Sequence, residues 1–190
     1  MVYYFTFLIN NEIQYRTQIQ SLQCTDHTKK GARCKRRCVI GSSYCSTHLM
    51  YDHHLQIKIS TILNAGKGLF ARNPLSSDAN EVIFKKNEII VKYNGEIINT
   101  EEKVHRYANK TAPYTIGISN GVYEDGARVR GIGSLANTLP NHNNATISIH
   151  AGRASLRATK PIRNGQEILL SYGPQYQVNQ PGVTSTTTTR

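Results

Sequence analysis

The chain has 190 residues, with 23 Lys and Arg against 12 Asp and Glu, a formal net charge of +11 and no Trp. No apolar run approaches the roughly 20 residues of a membrane-spanning helix, and the start lacks the basic segment and cleavage site of a secretory signal. We therefore expect neither a membrane protein nor a secreted one. The aromatic and aliphatic residues suffice for one core of roughly 100 to 130 residues beside a small module, so we expect a folded, basic, intracellular protein.

Residues 1–22 form the first predicted element. They begin with a run of Tyr, Phe and Ile and turn polar at Asn10 and Asn11, which predicts a strand that opens into a hairpin. We assign no function to this segment.

Residues 23–50 hold all four cysteines of the chain and six Lys and Arg within nine residues, with no acidic residue between Asp26 and Asp52. This segment is too short to build a hydrophobic core, so it folds only if a bound metal or ligand replaces the missing burial. Because the chain shows no export signal, clustered cysteines favour a metal site over disulfides.

Four residues in this segment have a spacing that suits tetrahedral Zn²⁺, C-x9-C-x10-C-x2-H. They are Cys24, Cys34, Cys45 and His48. Two alternatives remain open at this point. One is four free thiols with a surface histidine, and the other is a ligand set that uses Cys38, His27, His53 or His54.

The same segment resembles the small zinc modules with three Cys and one His, of which the plant WRC domain is an example. The residues that carry the resemblance are Cys24, residues 28–31, Cys34, Gly41, Ser42 and residues 44–48. Its basic residues, Lys35, Arg36 and Arg37 among them, can displace counterions from a nucleic-acid backbone. We therefore predict nucleic-acid binding, with a solvated basic face or a nuclear-targeting run as the alternative.

From residue 55 the pattern becomes mostly β, with short β-branched runs between turn signals. The predicted strands are residues 57–60, 88–93, 114–118, 145–149 and 167–172. One helix is predicted over residues 100–108, with Thr100 as its N-cap. Residues 177–190 are dominated by Gln, Asn, Pro and Thr and end in a run of threonines, so they are predicted to be disordered.

Several motifs follow one another in this β-rich part. They are the glycine pair Gly66 and Gly68, then Tyr93-x-Gly95-Glu96, residues 134–138 with Asn137, then Asn144, Gly165-x-Glu167 and residues 171–173. In this order and at these separations they resemble the SET domain of protein lysine methyltransferases over residues 55–176. The resemblance implies a SET-type β-fold of small sheets with a C-terminal pseudoknot.

The resemblance also implies a cofactor and site residues. S-adenosylmethionine would bind at Gly66, Lys67, Gly68, Leu69, Asn137, Thr138 and Tyr172, where Thr138 replaces the histidine of the family. Tyr172 takes the place of the catalytic tyrosine, and Tyr176 looks like the second pocket tyrosine of compact viral SET domains. We expect Tyr114 in the core, and His142 and His150 outside the chemistry.

Methyl transfer from a sulfonium is an in-line displacement that needs alignment of amine and methyl group, and a tyrosine-lined channel supplies that alignment. The sequence thus predicts methylation of protein lysines, with a histone or other chromatin protein as substrate and a nuclear or host-nuclear location. The alternatives are a non-histone substrate, or an inert SET-like adaptor that binds zinc and DNA. The SET-like part would take the basic substrate because it carries the acids Glu101, Glu102, Glu124 and Asp125.

Overall fold

The computed structural model describes residues 2–9, 12–20, 22–39, 41–108, 112, 114–129 and 131–172, with the backbone alone for residues 2–9 and 12–20. The prediction of a mostly β protein is confirmed. Over the described residues the chain forms β1 Val2–Ile9, β2 Glu12–Gln20, α1 Ser46–His53, β3 Leu55–Ile59, β4 Lys67–Ala71, β5 Val82–Phe84, β6 Ile89–Lys92, β7 Glu96–Asn99, α2 Thr100–Tyr107, β8 Thr115–Ser119, β9 Val122–Asp125, a 3₁₀ turn Ile132–Leu135, β10 Ala145–His150, β11 Arg153–Ala158 and β12 Ile162–Arg163.

The strands build small sheets rather than one large one. β1 pairs with β2, β3 with β4, and β5 with β12, all antiparallel. Two further sheets have three strands each, in the orders β10-β11-β6 and β7-β9-β8. The helices over the described residues have eight residues each, so neither could span a bilayer, which needs roughly 20.

The segment of residues 167–171 threads between separate parts of the chain. The amide of Ile168 donates to the carbonyl of Leu69 at 2.7 Å, and the amide of Leu170 donates to the carbonyl of Asn137 at 2.7 Å. On its other side, the amide of Ala145 donates to the carbonyl of Leu169 at 3.0 Å. This crossing is the feature that the SET-type fold predicts at its C-terminal end.

The main hydrophobic core joins the β-rich part to helix α1. Leu69, Leu156 and Ile168 are fully buried in it, and Leu49 of α1 is buried beside them. Helix α1 runs almost directly into β3, because His54 ends the helix in a left-handed conformation that reverses the chain. The Cys-rich segment is therefore anchored to the core through α1.

Helix α2 is fixed by its cap and by a buried arginine. Asn99 caps it through a 2.8 Å bond from the amide of Glu102, one residue before the predicted cap Thr100. The Arg106 side chain is 2% exposed and pairs with Glu96 at 2.9 Å, Glu102 at 2.5 Å and Asp125 at 2.9 Å.

Two of the four acids that were expected to attract the basic substrate, Glu124 and Asp125, are buried, whereas Glu101 is exposed. Asp125 is fully buried against Arg106. Glu124 is fully buried too, and it accepts bonds from the amides of Gly95 and Ala154 and pairs with Arg153 at 2.9 Å. These carboxylates hold β9 in place, since buried charges are stable only with such partners.

Candidate functional site

The four residues with metal-ligand spacing come together in space. One ligand atom from each of Cys24, Cys34, Cys45 and His48 lies within 4.8 Å of all the others. The sulfur of Cys24 is 3.2 Å from Nδ1 of His48, and the sulfurs of Cys34 and Cys45 are 4.0 Å apart. The Cys/His cluster therefore fits a zinc module.

Local structure explains how the last two ligands meet. Cys45 is the N-cap of α1 and His48 lies in its first turn, so residues three apart face the same side of the helix. Cys38 is buried nearby but is not in the cluster. The carboxylates of Asp26 and Asp52 lie close to His48, where a carboxylate can orient a ligating imidazole.

The basic residues of the Cys-rich segment are all exposed. Lys35, Arg36 and Arg37 are exposed, as are Lys29, Lys30 and Arg33. Two guanidinium groups are tied back to the module, because Arg33 donates to the carbonyl of Cys24 and Arg36 to the hydroxyl of Thr47. The surface is positively charged, as a nucleic-acid contact requires.

Residues 66–68, predicted to bind the cofactor, are called the glycine loop below. Its two glycines are required for different structural reasons. Gly66 has φ +73 and open space around its Cα, so the backbone conformation explains the glycine. Gly68 lies in β4, and a Cβ there would stand 2.2 Å from a carboxylate oxygen of Glu167. The space above Gly68 is therefore filled by protein, whereas the sequence analysis expected a ligand there.

The carboxylate of Glu167 ties three segments together. It accepts bonds from the hydroxyl of Ser60 at 2.7 Å, from the amide and hydroxyl of Thr61 at 2.8 and 2.5 Å, and from Nδ2 of Asn137 at 3.1 Å. Burial opposes the charge of Glu167, but the hydrogen bonds from Thr61, Asn137 and Ser60 outweigh it and lower its pKa. The sequence did not single out this role.

A cavity of about 390 Å³ lies beside the residues that Glu167 ties together. Its lining includes Tyr93, Tyr114, Ala136 and Tyr172. The hydroxyl of Tyr172 donates to the carbonyl of Ala136 at 2.7 Å, and the hydroxyl of Tyr93 donates to the carbonyl of Tyr114 at 2.9 Å. Tyr114, expected in the core, is thus a cavity residue, and sequence reasoning missed it because a strand-opening tyrosine shows no facing preference.

Two consecutive residues, Ala136 and Asn137, connect the cavity to the glycine loop. Ala136 receives the bond from Tyr172, while Nδ2 of the next residue, Asn137, donates to the carbonyl of Lys67 at 3.2 Å. Asn137 is also held by Glu167. A ligand at the loop and a side chain in the cavity would consequently meet next to one peptide unit.

The other predicted site residues are more dispersed. Lys67 is exposed, and Leu69 is fully buried in the core, so only its backbone could touch a ligand. Thr138 lies in the following loop, with its hydroxyl 3.4 Å from a side-chain oxygen of Asn143. Tyr176 lies outside the described residues, as do residues 177–190.

Comparison with known proteins agrees with this geometry. The sequence profile of the SET domain matches residues 66–173, which is more than half of the chain. The chain belongs to the SET domain family. The crossing at residues 167–171 agrees with the C-terminal pseudoknot of the predicted SET-type fold.

Two relatives place this SET domain more closely. The histone-lysine N-methyltransferase mes-4 of Caenorhabditis elegans is 27% identical over 145 residues, which cover 66% of this chain. The crystal structure of an active polycomb repressive complex 2 in the basal state matches 63% of this chain at 26% identity, with a TM-score of 0.50. The chain spans only 15% of the length of either relative.

Proposed function

We propose that this SET domain transfers the methyl group of S-adenosylmethionine to lysine side chains of a protein. The observation that carries the proposal is the pairing of the Tyr172 hydroxyl with the Ala136 carbonyl in the cavity, one residue from Asn137, whose side chain donates to Lys67 of the glycine loop. A cavity of this size suits a side chain together with the reactive end of a cofactor.

The residues of the loop fit such a cofactor. Gly66 has open space on the side where a Cβ would stand, so the backbone there is accessible to a ligand. Gly66, Lys67, Asn137 and Thr138 would hold the cofactor, with Gly68 contributing through its backbone alone because Glu167 fills the space above it. The cofactor supplies an electrophilic methyl group on a sulfonium when bound. Leu69 could contribute through its backbone.

The tyrosines of the cavity would position the target lysine. Their rings contact the aliphatic stem and tolerate a cationic amine. The Tyr172 hydroxyl donates its proton to the carbonyl of Ala136, which fixes the hydroxyl group at the wall of the cavity. Carbonyl and hydroxyl oxygens can make CH···O contacts with a polarised methyl group. Tyr176 is proposed as a second pocket tyrosine.

The lysine must lose its proton before it can attack. A free lysine has a pKa of about 10.4, and desolvation in a narrow cavity together with a nearby positive charge lowers that value. The cavity lining contains no Asp, Glu or His over the described residues. The proton would therefore leave to solvent before the amine is enclosed, and alignment would provide most of the acceleration.

The substrate is proposed to be a histone or another chromatin protein, because mes-4 is named a histone-lysine methyltransferase. A nuclear location follows from that substrate. We further propose that residues 55–176 form the methyltransferase unit and that residues 23–50 form a zinc module. The ligands of the zinc would be Cys24, Cys34, Cys45 and His48. The basic residues Lys35, Arg36 and Arg37 of the module would contact nucleic acid.

A second candidate function is a binding protein without activity, a zinc- and DNA-binding chromatin adaptor. The specific observation in its favour is Thr138, which stands where the family has a histidine and engages only the loop residue Asn143 among the described contacts. Weak cofactor binding would favour this candidate.

Radiolabelled methyl transfer separates the two functions. The purified chain would be incubated with labelled S-adenosylmethionine and with histones, nucleosomes or a cell lysate, and the label located by lysine-specific digestion. We expect labelled lysine. Cofactor binding without transfer to any of these substrates would support the adaptor, and no binding at millimolar cofactor would contradict the enzyme.

A further inference from the structure

Glu167 differs from the other fully enclosed carboxylates of the chain. It is 6% exposed, and its oxygens accept bonds from Ser60, Thr61 and Asn137, all of which are neutral. Within the described part of the chain, no Lys, Arg or His lies within ion-pair distance of it. Glu124 and Asp125, by contrast, each face an arginine at 2.9 Å.

A buried carboxylate with neutral partners is costly, because neutral hydrogen bonds stabilise the charge without cancelling it. Four hydrogen bonds nevertheless keep Glu167 ionised. A fixed negative charge therefore remains inside the protein and acts on whatever binds nearby. In a partly desolvated site such a charge acts over several ångströms.

The carboxylate of Glu167 lies against the backbone of the glycine loop. One oxygen of Glu167 lies 2.2 Å from where a Cβ of Gly68 would be, and the same oxygen is 3.1 Å from Nδ2 of Asn137. Asn137 in turn bonds the carbonyl of Lys67. A ligand on the loop would thus be separated by the loop backbone from a carboxylate that pairs with no cationic side chain among the described residues.

We infer that Glu167 is a specificity-determining residue that favours a cationic ligand at the glycine loop, and so distinguishes S-adenosylmethionine from its demethylated product. This inference rests on the proposed function. The cofactor carries a sulfonium, which becomes a neutral thioether when the lysine nitrogen bonds to the methyl carbon and the electron pair of the broken carbon–sulfur bond stays on sulfur. The attraction to Glu167 would then fall, which weakens product binding relative to cofactor binding.

Titration calorimetry of Glu167→Gln with S-adenosylmethionine and with S-adenosylhomocysteine tests the inference. Gln preserves the size of the side chain and removes the charge. We expect the affinity for the cofactor to fall about fivefold more than the affinity for the product, consistent with a charge separation of several ångströms. Thermal unfolding of the variant checks that it is folded.

Thr61→Ala is the matched control. It removes one hydrogen bond to Glu167 and keeps the charge, so a purely structural effect would weaken both compounds equally and leave their ratio unchanged. A ratio that shifts in Thr61→Ala as much as in Glu167→Gln would overturn the inference, because disturbed packing would then explain both.

Wild-type protein keeps the inference testable if Glu167→Gln does not fold. It should bind the cofactor more tightly than the product, and equal or reversed affinities would overturn the role of Glu167 alone. No binding of either compound to wild-type protein would instead overturn the proposed function, and the inference with it.

Discussion

The hydroxyl oxygen of Tyr172 lies 2.7 Å from the carbonyl oxygen of Ala136 and donates a hydrogen bond to it. This bond fixes the tyrosine ring at the wall of the cavity. The bond also links the C-terminal segment to the residue before Asn137. The position of this single hydroxyl group should accordingly matter more for methyl transfer than for folding.

Tyr172→Phe should reduce the rate of methyl transfer by about 100-fold, since a loss of alignment of this kind is enough for such a decrease. Affinity for S-adenosylmethionine should stay within a few fold, because the hydroxyl adds little to ground-state binding. Single-turnover kinetics and calorimetry measure the two quantities. Tyr51→Phe, on the exposed part of α1, is the control, and wild-type turnover in Tyr172→Phe would remove the hydroxyl from the mechanism.

Zinc should be present at about one equivalent, as one tetrahedral site requires. It should be lost in Cys24→Ser and Cys45→Ser, whose sulfurs belong to the cluster. Cys38→Ser should retain it, although Cys38 is buried close by. Elemental analysis of the purified proteins decides, and metal loss in Cys38→Ser would mean that the ligand set is different.

Replacing Lys35, Arg36 and Arg37 by Ala should weaken DNA binding and reduce its salt dependence by about three phosphate contacts. Activity on nucleosomes should fall far more than activity on a histone peptide. The matched control replaces three exposed lysines of the SET domain. They are Lys85, Lys86 and Lys160.

Fluorescence anisotropy with duplex DNA over a range of salt concentrations gives the salt dependence. If the control triple variant loses as much binding as the module variant, net charge rather than the module explains the affinity. If wild-type protein does not bind DNA at low salt, the module serves as a fold-stabilising or protein-docking element.

Arg106→Met should lower the free energy of unfolding by about 3 to 5 kcal/mol, because it leaves the buried Asp125 without its cation. Arg128→Met is a control that removes a partly exposed arginine 3.7 Å from the shared partner Glu102, and it should cost less than about 1 kcal/mol. Urea unfolding measures both. Similar losses in the two variants would contradict the importance of burial at Arg106.

Stability should fall in acid. Glu167 and Glu102 both have a pKa below the usual value. At Glu167 burial raises the pKa, but the hydrogen bonds outweigh this effect, and at Glu102 the bond from Arg106 lowers the pKa. A carboxyl group with a lowered pKa stabilises the fold above the unfolded-state pKa of about 4.3, and that stability is lost as the pH falls through the folded-state value. Unfolding in urea between pH 7 and pH 3 measures the slope, which should be shallower in Glu167→Gln.

The sequence predicted the hairpin of β1 and β2 and the strands β3, β6, β8 and β10, but it missed β4, β5, β7, β9, β11 and β12. β10 begins at Ala145 as expected, whereas β11 was missed. Its residues alternate between Ala or Leu facing the core and polar residues facing outward, and Ala has a low strand preference. β11 exists because it pairs with both β10 and β6, which is a long-range effect that no local pattern reveals.

Around the site, the predictions that depend on long-range pairing failed, and the one that depends on ligand spacing succeeded. β4 was expected to be a loop because of its glycine, but Gly68 pairs with Lys58 in a regular ladder. Residues 167–172 were expected to be one strand, yet their bonds go in turn to Phe70, Asn137 and Ala145 as isolated bridges. The metal cluster was predictable, since cysteine and histidine spacing reflects ligand chemistry directly.

Leu49 connects helix α1 to the hydrophobic core of the SET domain. The N-cap of the helix is Cys45, a member of the metal cluster, and four residues later Leu49 is buried in the core of the SET domain. A chain cut between the two parts would expose that core, so the Cys-rich segment is not a detachable accessory. We therefore expect that loss of a metal-ligating thiol destabilises the SET domain as well as the Cys-rich segment.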